Sequence, residues 1–120
     1  MDPRLEEFIR LFNSKEFFDA HEVLEGLWLE TEGEEKDFYK GLIQCAVAFV
    51  HLDRANFRGA TKLYKTACGY LNRYAPSYGG VNLQDLLTGF EGFFAQHVRE
   101  DQPLDLDELD TPIIVSGELS

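Results

Sequence analysis

The sequence predicts an all-α protein: a five-helix bundle of antiparallel helices over residues 1–101, then an acidic C-terminal tail, 102–120, that is extended or disordered. Three observations carry this. Apolar residues recur at three- and four-residue steps in five successive stretches. Short polar or glycine-containing breaks separate them, and short connections make neighbouring helices antiparallel. No strand pattern appears before residue 113.

Each element has its own signals. Asp2 is a good N-cap and Pro3 suits the first helical turn, after which Leu5, Phe8, Ile9 and Phe12 share one face. Asn13-Ser14 ends this helix, and Ser14 is placed to cap the next, which runs from about Lys15 to Thr31. There Phe17, Ala20, Val23, Leu24, Leu27 and Trp28 form an apolar arc, with Asp19, Gly26 and Glu30 opposite. Gly33 breaks the helix. The third helix, about Glu34 to Arg54, is apolar nearly all round, the mark of a central helix. Its exception is a stripe holding Lys40, Gln44 and His51 beside small Gly41 and Ala48. Asn56 makes the next turn, and a fourth helix runs over about 57–74, ended by Ala75-Pro76. Ser77 to Gly80 reads as a loop. Asn82 caps a fifth helix that buries Leu83, Leu86, Leu87, Phe90, Phe93, Phe94 and Val98, with His97 in the same arc. Beyond Asp101 helical periodicity is lost, and Ile113-Ile114-Val115 is the apolar part of the tail.

Composition narrows the function. With 44% hydrophobic residues and ten Phe, the chain has material for a full core. The net charge of −11 argues against nucleic acid and against an anionic membrane surface as partners. Part of that acidity is local, in Glu100, Asp101, Asp105, Asp107, Glu108, Asp110 and Glu118. Cys45 and Cys68 lie within apolar helical patterns and read as small core side chains. No leader pattern and no membrane-length apolar run is present, so the expectation is a reduced, cytoplasmic protein.

The residues able to do chemistry gather on the second and third helices: His21, Glu22, Glu25 and Trp28 on one, Lys40, Gln44 and His51 on the other. An antiparallel register across Gly33 sets His21 opposite Gln44 and Glu25 opposite Lys40. His21 and Glu25, four residues apart, touch on one helix face. Converging polar groups between the aromatic walls of Trp28 and Phe18 make a small-molecule or peptide pocket, and the reading is non-catalytic with no cofactor. The structural alternative is a closed polar network that fixes helix register. A metal-dependent hydrolase using His21 and Glu25 has suitable i, i+4 ligands but lacks a third: Glu22 points away, and His51 lies about 10 Å along the axis from Gln44. No metal is therefore assigned. Triad hydrolysis lacks a nucleophile on the seam. His51 reads as a helix-end residue, favourable near the negative end of the dipole. A third class is an interaction module, in which Phe18, Leu29 and Ile113-Ile114-Val115 seal a homodimer.

The pattern from Phe17-Phe18-Asp19-Ala20-His21-Glu22-Val23-Leu24-Glu25 to Trp28, then Phe38 to Gln44, His51, and Asn56 with Gly59-Ala60, resembles the small helical proteins grouped as domain of unknown function 309. The similarity covers roughly residues 13 to 74. It implies a compact helical bundle from bacteria or archaea with no established activity. It marks His21, Glu22, Glu25, Trp28, Gln44 and His51 as signature positions and gives none of them a role.

Overall fold

The computed structural model describes residues 1–99 and 102–117. Glu100, Asp101 and Glu118, counted above with the acidic tail, lie outside the described residues. Five helices form the body: α1 (Pro3–Asn13), α2 (Phe17–Glu30), α3 (Glu34–Asp53), α4 (Phe57–Leu71) and α5 (Leu83–His97). Between α4 and α5 stands a small antiparallel hairpin, β1 (Ser77–Tyr78) and β2 (Val81–Asn82).

Local chemistry sets the helix ends. Asp2 accepts the Arg4 N–H at 2.8 Å, and Pro3 takes the first helical position. Asn56 Oδ1 accepts the Gly59 N–H at 3.0 Å, and Asn82 Oδ1 accepts that of Asp85 at 2.9 Å. Gly33 enters α3 at φ +83°, where a side chain would be strained. Ser14 does not cap α2. Its N–H closes α1 on the Arg10 and Leu11 carbonyls, and Lys15, at φ +64°, turns the chain so that α2 begins only at Phe17.

The hairpin corrects the reading of Ser77–Gly80 as plain loop. Gly79 and Gly80 both sit at positive φ, +58° and +83°, the geometry of a two-residue turn whose twist suits paired strands. Strands of two residues are too short to show alternation, so the Gly-Gly pair was the legible signal.

Helix α3 lies between α2 and α4, and its buried face carries the core. The Phe49 ring is fully buried and stacks on Phe17 at 4.6 Å between centroids. It also meets Phe12 at 6.0 Å, Phe93 at 5.4 Å and Phe90 at 5.5 Å. One ring thus joins α1, α2, α3 and α5. On the other flank α3 approaches α4 closely: a Cβ added at Gly41 would lie 2.7 Å from two Leu71 side-chain atoms.

Of the two alternatives for the tail, the described part is extended and packed. Asn13 donates from its amide to the Ile114 carbonyl at 2.9 Å and accepts the Ile114 N–H at 2.7 Å. The Lys15 ammonium reaches the Leu106 carbonyl at 2.9 Å and the Leu109 carbonyl at 2.7 Å, straddling a 3₁₀ turn at Leu106–Glu108. Asn82 N–H bonds the Val115 carbonyl at 2.9 Å. Leu106 and Ile114 are buried, whereas Asp105, Asp107, Glu108 and Asp110 face solvent. Ile113-Ile114-Val115 is therefore not a single exposed patch: Ile113 is exposed, Ile114 enters the core and Val115 is partly covered.

Both cysteines are free. Burial pushes the Cys45 thiol well above its ordinary pKa; burial, then the nearby Glu91 carboxylate, raises Cys68. Among the described residues no helix is long and apolar enough to cross a membrane.

The α3–α4 approach gives a test. Gly41→Val should cost about 1–3 kcal/mol in urea unfolding, since the added methyls meet the packed Leu71 side chain. An unchanged midpoint would mean that the two helices separate freely.

Candidate functional site

Antiparallel packing of α2 and α3 fixes which side chains come level. Phe17 stacks on Phe49, and the Lys36 ammonium donates to the Trp28 carbonyl at 3.0 Å. Both contacts lie close to the register that sets His21 level with Gln44. The polar residues at this level nonetheless form separate groups.

The first group is on α2. His21 Nδ1 lies 2.6 Å from the Phe18 carbonyl oxygen, which can only accept, so Nδ1 carries a hydrogen. Nε2 is thereby left to face Glu25, 3.5 Å from Oε2. In the neutral ring Nε2 offers a lone pair; in the doubly protonated ring the two groups form an ion pair. The Phe18 ring stands edge-on to the imidazole at 5.0 Å. The His21 side chain is 18% exposed and that of Glu25 50%, so the carboxylate is open to solvent. These residues line a shallow hollow of about 460 Å³ with Glu22, Gly26 and Leu29. Its walls are the apolar side chains left most open on α2, Phe18 at 47% and Leu29 at 66%. The next turns of α3 do not enter it.

The second group surrounds Trp28. The Lys36 and Lys40 ammonium groups lie 4.1 and 4.6 Å from the centre of its ring system. Lys36 also donates to the Thr31 carbonyl at 3.2 Å, so it bonds two carbonyls at the end of α2, sharing that of Trp28 with the Thr31 N–H. The expected partner of Lys40 was Glu25; among the described residues Lys40 makes no ion pair and rests on the indole instead.

Gln44 stands apart. Its Oε1 is buried and, among the described residues, has no hydrogen-bond partner. His21 does not supply one, because its Nδ1 hydrogen is committed to Phe18. His51, in the last turn of α3, accepts from the Asn56 amide at 3.2 Å. The same Asn56 caps α4 through its oxygen, which fixes which end of the amide faces the imidazole. His51 thus steadies the cap between α3 and α4 rather than facing His21.

A second, more enclosed hollow of about 280 Å³ lies at the start of α2, under the tail, with Phe17, Phe18, Val50, Arg54, Leu106 and Asp107 in its lining. The Arg54 guanidinium stands 5.7 Å over the Phe18 ring, so Phe18 walls both hollows. No motif marked this second hollow, because half of its lining comes from segments far apart in sequence. Among the described residues no group of three or more His, Cys, Asp or Glu side chains is arranged to hold a metal ion. Among those residues His21 and Glu25 remain a pair without a third ligand.

Comparison with known proteins adds a family without an activity. The model of a family described as "Domain of unknown function (DUF309)" matches residues 5–63. An uncharacterized protein of Aquifex aeolicus (strain VF5) is 30% identical over 88 residues, 72% of this chain and 26% of the relative. The uncharacterized protein YpuF of Bacillus subtilis (strain 168) is 33% identical over 60 residues, 49% of this chain and 34% of YpuF. The chain therefore spans only about a quarter to a third of the curated relatives it matches.

The two lysines on Trp28 are separable by experiment. Lys36→Met should lower thermal stability by about 1–2 kcal/mol, because carbonyls at the end of α2 lose their donor. Lys40→Met should cost well under 1 kcal/mol, the scale of an exposed cation–π contact. Equal losses would show that the indole contact, not the carbonyl bonds, is what Lys36 supplies.

Proposed function

We propose that this chain, which carries a DUF309 domain, is a non-catalytic binding module whose exposed α2 face takes an amphipathic cationic group, such as a basic side chain and its apolar neighbour in a peptide. One observation supports it above the others. The hollow on α2 pairs two apolar walls, Phe18 and Leu29, with Glu22, Glu25 and a His21 ring whose Nε2 lies beside the Glu25 carboxylate. Every polar group offered there by the neutral ring and the two carboxylates accepts hydrogen bonds. A ligand that matches must donate, and must cover apolar surface while doing so.

The acidic balance of the chain works in the same direction, since a net charge of −11 draws cations toward the surface and turns anions away. Gly26 lies in the hollow with no atom within 4 Å of where its Cβ would stand, so a ligand backbone can approach closely there.

Isothermal titration with a short cationic amphipathic peptide, beside its charge-reversed counterpart, tests the reading. The cationic peptide should bind and the acidic one should not. Glu25→Gln should weaken binding about fivefold or more, by removing a carboxylate that the ligand faces. Equal affinity for both peptides, or none for either, would sink the proposal.

A further inference from the structure

A cationic amphipathic surface that fits this face is present on the same chain. Helix α4 (Phe57–Leu71) contains Arg58, Lys62 and Lys65 and no Asp or Glu. The whole stretch from Arg54 to Gln84 contains no acidic residue, in a chain with 22 of them. Helix α2 (Phe17–Glu30) is the converse: it contains Asp19, Glu22, Glu25 and Glu30 and no Lys or Arg. Arg58, Lys62 and Lys65 are exposed and, among the described residues, make no ion pair. With Phe57 and Thr61 they line a hollow of about 460 Å³.

We infer that the partner of the α2 face is a second copy of this chain, which presents α4 so that Arg58, Lys62 and Lys65 meet Glu22 and Glu25 while Phe57 covers Phe18 or Leu29. The inference rests on the reading of the α2 face given above and names its partner. Within one chain the two faces do not meet, since α3 lies between α2 and α4. The repeats match in pitch. Phe18, Glu22, Glu25 and Leu29 follow one another at steps of four, three and four residues; Arg58, Lys62 and Lys65 follow at four and three. Two helices laid side by side then place a cation beside each of the two central carboxylates. The cationic row spans about 10 Å of helix axis. Two copies, each at −11, repel at long range, but at physiological ionic strength the screening length is about 8 Å, so contacting charge pairs outlast the distant repulsion. Burial of Phe18 and Leu29 supplies the part of the association that salt does not weaken.

Charge-reversal complementation, read by sedimentation velocity near physiological salt, tests this. Wild type should self-associate as concentration rises. Glu22→Lys with Glu25→Lys in one variant, and Lys62→Glu with Lys65→Glu in another, should each weaken self-association about tenfold or more. Mixing the two variants should restore it, because each then supplies the face that the other lacks. All four positions are exposed, and a circular dichroism melt confirms that the variants fold. If a double reversal does not fold, Glu25→Gln and Lys62→Gln replace it and are read for the same weakening. A wild type that stays monomeric, or a mixture that associates no better than its components, would overturn the inference. The cationic-peptide titration is independent of this outcome: a monomer that still binds that peptide keeps the α2 reading and loses only the named partner.

Discussion

The structure depends on α3 being apolar on one side and nearly so all round. Phe49 shows why. Its ring meets aromatic side chains from α1, α2 and α5 at once, so three helices are positioned against one side chain on a fourth. Burying aromatic rings removes large apolar areas from water, and interlocking them edge-on and stacked fixes relative angle as well as proximity. Once α3 is held there, α2 and α4 take its flanks, and their outward faces carry exposed charged residues. The acidic residues of α2 and the basic residues of α4 are thereby kept on separate flanks of the central helix.

The same constraint governs the polar residues. A helix packed on two flanks and one face has a narrow strip remaining, and Lys40, Gln44 and His51 occupy it. Each of the three has a different environment. Lys40 reaches back to an indole, His51 anchors an amide that caps the next helix, and Gln44 carries a buried oxygen with nothing to accept from. Alignment along one strip did not make them one site. Side-chain length and the first available donor decided where each ended.

Helix number and order were legible, because periodicity and caps such as Asp2 and Asn82 are local properties. So was the likeness to the DUF309 family, whose model matches residues 5–63. What sequence left open depended on contacts between distant residues. Asn13 reads as a helix end, and nothing near it shows that its amide pairs with Ile114. Lys40 has a carboxylate level with it on α2 and an indole beside that; only the packed geometry decides between them. The hairpin at Ser77–Asn82 was missed because two-residue strands have no alternation, and Gly79-Gly80 alone signalled it. The division of charge between α2 and α4 was visible in the residues, but its significance needed the knowledge that α3 keeps them apart.

Lys15 shows what the packed tail implies for sequence change. Its backbone sits at φ +64°, where glycine is favoured, yet its ammonium is what grips the Leu106 and Leu109 carbonyls. The two demands oppose one another at a single codon. Conformational ease selects for losing the side chain, and retention of the C-terminal strap selects for keeping a long basic one. A homologue lacking that strap is released from the second demand, so the identity of the residue at this corner is a marker of whether such a strap is there to be held.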